Sequence, residues 1–458
     1  MSYNFLPYVQ DQLLLMPPSV SDWVKEGSLA RFVSDLIDGL HHEGELAAFF
    51  EPYRADGWGR AAYHPCMMVK ALVYCYAVGV RSSRRIEQAL EQDVSLRFLT
   101  ANQQPNFRTI SDFRKDHLPA LEKLFESVLG LCREAGLAKL GVVALDGRKV
   151  AANAALDRNR TDAGLQREIA EIFAEAERLD REEDQRFGEH ARGDELPEGL
   201  RTSAERLKRL KEARARLVAE AERARKEQQE KIELRAEDER RTGKKKRGRK
   251  PKPPEAVVDA EKKANTTDPD SRIMQNRRGW VQGYNAQAVT DCESQVIVAQ
   301  DVTQDENDVR QLDPMLRRVK ATMGTAPEAL VADAGYWSEA NATRENEETE
   351  LFIATTKSWK QKQELARKGP PRGRKPKHMT PQERMERKLR TKRGQDVYKQ
   401  RSTSVEPVFG QMEGRGLNRF LLRGVRKVRG EWSLFCTTHN ILKLWRFATA
   451  STLGSVPA

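Results

Sequence analysis

The chain has 458 residues, 38% hydrophobic and 32% charged, and its 80 Lys and Arg against 68 Asp and Glu give a formal net charge of +12. That length and apolar content can fill the cores of two or three domains, which excludes a wholly disordered chain. Five scattered cysteines contain no C-x-x-C pair, so neither a zinc site nor a disulfide framework is legible.

Residues 1–16 lack a basic leader and a long apolar core, and no later segment approaches membrane-spanning length. A reducing cytoplasm and no membrane partner are therefore expected. Residues 20–135 read as helices joined by turns. His64-Pro65 precedes an apolar run from Met67 to Cys75, Ser82-Ser83 can cap a short helix carrying Ile86 and Leu90, and Thr109 to Cys132 reads as one helix. Arg81, Arg84, Arg85, Arg108, Arg114 and Lys115 fall near the turns. This fits a helix-turn-helix-like DNA-binding domain and equally a helical packing or dimerisation domain.

From Gly141 the period changes. Val142 to Leu145 is a short apolar run, Val281 to Asp291 and Gln295 to Val302 read as paired strands, and Ala329 to Ala332 and Leu351 to Ala354 read as buried strands. A helical pattern over Val309 to Met323 makes the core a mixed α/β sheet. Between the first strand and the hairpin, residues 161–256 are too charged for sheet core. They read as two helical arms with a heptad-like seam through Leu200, Leu207, Leu210, Leu217, Ala221 and Ala224, broken near Gly188 to Gly199. A coiled hairpin for dimerisation or strand bridging and a solvated insertion are both compatible with that pattern.

Positive charge is concentrated in Lys244 to Lys252 and between Lys357 and Arg429, favouring a polyanion such as nucleic acid. Two Arg-Gly-Arg-Lys-Pro elements contribute Arg247, Arg249, Arg372 and Arg374. Such segments can enter an A·T-rich minor groove or bind phosphates without sequence preference. Within this basic setting Asp146 and Asp333 each end an apolar run, and Glu406 borders an apolar helical face, with Ser404 and Pro407 fitting a first turn. Three carboxylates can hold two divalent ions roughly 3.5–4 Å apart for phosphodiester chemistry. Each also has an ordinary use, the aspartates as turn formers and the glutamate as a charge at a helix start.

The blocks Leu145-Asp146-Gly147-Arg148-Lys149-Val150, Ala152-Asn153-Ala154, Asn159-Arg160-Thr161, Gly283-Tyr284-Asn285-Ala286-Gln287 and Ala332-Asp333-Ala334-Gly335-Tyr336, with Tyr398, Arg401 and Val405-Glu406-Pro407-Val408-Phe409-Gly410-Gln411, carry a family signal. Together they resemble the DDE transposases of bacterial insertion sequences. Glu413 departs from the pattern, which often has a basic residue at that place. The resemblance implies an RNase H-like mixed-sheet core, here over 137–446, that permits an insertion between its elements; around it the residues themselves give a helical domain over 1–136 for DNA-end binding or dimerisation, the helical insertion over 161–256 and a flexible tail over 447–458. The resemblance also implies a catalytic, metal-binding triad of Asp146, Asp333 and Glu406 with Mg2+, for which Mn2+ can substitute.

Tyr398 and Arg401 are implied to lie before the glutamate's helix and to contact terminal phosphates, with Trp337 stacking on an extruded base or serving as core. Arg415 and Arg419 would add backbone contacts. The expected partners are terminal inverted repeats, target DNA and a second copy of the chain, at the nucleoid. Cleavage of the element's ends and 3′-hydroxyl strand transfer is the implied reaction. A DNA-binding regulator, an inactive relative and a nuclease without strand transfer are the alternatives. No G-x-x-x-x-G-K-[ST] loop is present, which disfavours an ATP-driven machine.

Overall fold

The computed structural model describes the chain except residues 1–18, 55–60, 188–197 and 454–458 and scattered positions within 244–260, 277–278 and 357–377; side chains are also left aside at 176–177, 179–205 and 451–453. Arg247, Arg249, Arg372 and Arg374 lie outside the described residues, as do the proposed break near Gly188 and the side chain of Leu200. Two compact units divide the chain, Met1–Ala138 with Leu434–Ala458, and Lys139–Ser433. Among the described residues no helix is long and apolar enough to cross a membrane.

The first unit contains α1 (Leu29–His42), α2 (Pro65–Ala77), α3 (Ser83–Gln92), α4 (Val94–Leu99), α5 (Phe107–Asp116) and α6 (Leu118–Glu134). The Ser28 hydroxyl caps α1 by accepting from the Arg31 amide, and Val33, Ile37 and Leu40 give it a buried stripe at helical spacing. Pro65 opens α2, where a missing N–H costs nothing, and nearly every residue of that helix is buried. The single helix expected over Thr109 to Cys132 is two, divided at His117. Pro119 cannot donate into the preceding turn, so α6 starts afresh there.

Ser82 occupies the N-cap of α3 without making a side-chain capping bond. Arg81 and Arg114 are buried, and Arg114 donates to Tyr76 Oη, the Arg81 carbonyl and Ser83 Oγ at 3.0, 3.0 and 2.5 Å. These two arginines therefore staple helices together and present no charge to DNA, a correction to their sequence-based reading. Arg84 and Arg108 are exposed and lie over the Phe107 ring.

The second unit is built on β1 (Val142–Ala151), β4 (Arg272–Asn276), β5 (Gly279–Asp291), β6 (Ile297–Thr303), β7 (Ala329–Ala332) and β8 (Glu350–Ile353). β1, β7 and β8 run parallel, β5 lies antiparallel to β1, and β6 and β4 share the far edge of β5. This α/β arrangement, antiparallel β6, β5 and β1 extended by parallel β7 and β8, with β4 as a sixth strand on the same edge of β5 as β6, is the RNase H-like sheet. A small ladder pairs β2 (Asn159–Thr161) with β3 (Lys263–Asn265) at the root of the insertion.

The insertion is a hairpin of α7 (Asp162–Phe187) and α8 (Glu198–Thr242). Leu210, Ala213 and Leu217 of α8 are buried with Leu165 of α7 and Ala264 of β3, and Ile169 and Ile172 pack against them. Leu207, Ala221 and Ala224 are only half-buried, so the seam is shorter than the expected one. Beyond the sheet come α9 (Leu312–Met323), the four-residue α10 (Glu339–Ala342), α11 (Pro381–Arg390), α12 (Lys392–Gly414) and α13 (Val425–Leu453). Residues 447–453, expected in a flexible tail, continue α13.

Candidate active site

Asp146 lies in the middle of β1, not at its tip. The parallel register pairs Leu145 with Ala332, and β7 ends there, so Asp333 emerges beside Asp146 at the level where the neighbouring strand stops. Alternation along β1 sends Asp146 and Arg148 to one face, where they meet Arg401 and Glu413 of α12. Gly147 and Lys149 fall on the other face, where Lys149 pairs with Asp308 at 2.8 Å.

Glu406, expected in a first turn, lies well inside α12, and Tyr398 and Arg401 share that helix instead of preceding it. The helix begins at Lys392, capped by the Thr391 hydroxyl. Pro407 is tolerated in its interior because the carbonyl it cannot serve, that of Thr403, accepts the Gln295 side-chain amide at 2.8 Å. Val405, Val408, Phe409 and Met412 are buried, fixing the helix on the sheet, and Phe409 stacks on Trp432 with ring centroids 6.1 Å apart.

The three carboxylates converge on one guanidinium. Arg401 Nη2 is 2.9 Å from Asp146 and 3.8 Å from Asp333, and its Nη1 is 2.9 Å from Glu406. Exposure rises across the set, with side chains 18%, 39% and 50% accessible for Asp146, Asp333 and Glu406, so one side of the cluster opens to solvent. Burial pushes the Asp146 carboxyl up to about 6; Arg401 opposes the rise, and Asp333 adds to it. The Gly147 amide donates to Asp146 and the Gly335 amide to Asp333, which orients both aspartates. Burial holds the Tyr398 phenol up at about 12, so it stays protonated as a donor. Trp337 follows Asp333 closely and is half-buried, Arg415 is half-buried at the end of α12, and Arg419 is exposed.

Asp308 is the neighbour that sequence reasoning missed. It accepts from Lys149, from Asn285 Nδ2 at 2.6 Å and from Gln287 Nε2 at 2.8 Å. Tyr336 donates to the other end of the Gln287 amide. Its only sequence signal is the acidic stretch Asp305 to Asp308 before a helix. Glu413, the departure from the family pattern, is paired with Arg148.

Residues 250–441 match the family model described as a transposase DDE domain, and residues 18–116 match one described as a transposase domain of the DUF772 type. Between them these matches take in more than half of the chain, which belongs to the DDE transposases of the insertion-sequence type. The DDE match contains Asp333 and Glu406 but starts after Asp146, which joins them through the sheet register. No curated protein and no solved structure gives a significant match. As a transposase the protein acts on DNA, and its family works with divalent metal ions.

Proposed function

We propose that this transposase cleaves the ends of its insertion sequence and joins the freed 3′-hydroxyls to target DNA, with Asp146, Asp333 and Glu406 as ligands to Mg2+ and Mn2+ as a substitute. The observation that carries the reading is the convergence of three carboxylates, from a strand, a strand end and a helix, on a single cation. All-oxygen ligands that accommodate a guanidinium suit hard divalent ions equally. When bound, such ions activate the attacking oxygen and stabilise the leaving one.

The chain's own groups do the rest. The sheet holds Asp146 rigidly, as precise ligand placement requires. Tyr398 donates to a terminal phosphate. Arg401, on the same helix, balances the carboxylates and can turn a two-pronged donor to the same phosphate. Trp337 receives an unstacked base, and Arg415 and Arg419 follow the backbone, with the segments around Arg247, Arg249, Arg372 and Arg374 extending the grip. Residues 1–136 bind element ends or a second copy, 137–446 carry the chemistry, and a homodimer pairs the two ends at the nucleoid.

The test is incubation of the full chain with DNA carrying the element's own ends, target plasmid and Mg2+. Joined products are expected. Cleavage without joining would make the protein a nuclease, and binding without cleavage a regulator.

A further inference from the structure

We propose that His41, His64 and Cys66, in the first unit, form a zinc site separate from the catalytic carboxylates. Each offers one ligand atom, and these atoms all lie within 4.8 Å of one another. His41 comes from the last turn of α1, His64 is the residue immediately before α2 and Cys66 is the second residue of that helix. A metal held there would tie the end of one helix to the start of the next.

The surroundings fit a ligand set. The His64 side chain makes no capping bond to α2, and neither the His41 nor the His64 imidazole has a hydrogen-bond partner among the described residues. Neighbouring His42, in contrast, is engaged with the Asp38 carbonyl at 2.6 Å. The His41 and His64 rings stand edge to face, 5.9 Å between centroids, and Phe50 walls both, 5.2 Å from the first and 5.4 Å from the second. Cys66 is buried and His64 exposed, so the nitrogens lie toward solvent and the sulfur toward the core.

Two imidazoles and a thiol that loses its proton on binding make a borderline-soft set. It selects zinc over magnesium, the reverse of the all-oxygen active site. With three protein ligands, a bound zinc ion would leave its fourth position to water. The site is absent from the sequence signals because its ligands include no cysteine pair and His41 lies far from His64 along the chain.

The experiment is titration of the full-length protein with Co2+ in excess Mg2+, followed by displacement with Zn2+. One equivalent should bind with a near-ultraviolet thiolate-to-cobalt band, and zinc should bleach that band and raise the melting temperature. His64→Ala, at an exposed position, and Cys66→Ser should abolish the band and the melting shift, whereas Asp146→Asn should retain both. Absence of the band in the wild type overturns the site, as does its survival in a folded His64→Ala protein.

Discussion

Gly147 illustrates how closely single residues are fitted around the cluster. A Cβ at this position would stand 2.2 Å from Gln287 Nε2 and 2.5 Å from Asp308 Oδ1, so any side chain would collide with the amide and carboxylate network beneath β1. Gly283 is constrained in the same way by the Val150 carbonyl, 2.3 Å from its would-be Cβ. The glycines of two motif blocks are thus sites of close approach between antiparallel neighbours. Gly147→Ala should cost about 2 kcal/mol, an overpacking effect, and depress catalysis further by moving Asp146. Urea melts with cleavage assays at matched folded fraction check this; an unaffected cleavage rate would contradict the fit.

Among the elements, the strands were the most legible, because their apolar runs are continuous and bounded by turns. Ala329 to Ala332 coincides with β7, and β5 and β6 differ from expectation by two residues or fewer at each end. The apolar run of β1 stops at Leu145 because Asp146 to Lys149 are polar or glycine and only half-buried, although the strand goes on through buried Val150 to Ala151; β4, largely polar and mostly half-buried or exposed, gives no strand signal for similar reasons. The long α12 was hidden by Pro407, which reads as a helix start until Gln295 supplies the lost hydrogen bond. The candidate triad was legible as three residues. Its meeting on Arg401 was not, since that depends on the β1 to β7 register and on a helix face assembled from distant segments.

The insertion's attachment is likewise invisible in sequence. Glu220 of α8 pairs with Arg216 at 2.9 Å, with Lys262 at 2.9 Å and with Arg272 at the start of β4. Burial alone would raise its carboxyl, but these cations outweigh that and hold it below the ordinary glutamate value. Because the folded value is the lower one, the stabilisation is present above the ordinary glutamate pKa and is lost as pH falls through the depressed value. Glu220→Gln should therefore destabilise the root of the insertion by about 3 kcal/mol near neutrality. The difference from wild type should shrink in acid. Hydrogen exchange at β3 and β4 across pH reads the effect, and a pH-independent difference would contradict the ionic account.

For the molecule as a whole, the surplus of positive charge predicts strongly salt-dependent DNA binding. Several phosphate contacts would lower affinity on the order of 10³-fold between 50 and 200 mM salt, measurable by fluorescence anisotropy; a nearly flat dependence would exclude backbone recognition as the main source of affinity.

The central claim, that Asp146, Asp333 and Glu406 act together, is tested most directly by single-turnover cleavage of pre-bound element-end DNA by Asp146→Asn, Asp333→Asn and Glu406→Gln. Each variant is expected to bind DNA like the wild type and to cleave it roughly a thousandfold more slowly or worse. A folded variant that cleaves at a rate close to wild type would contradict the assignment of that carboxylate.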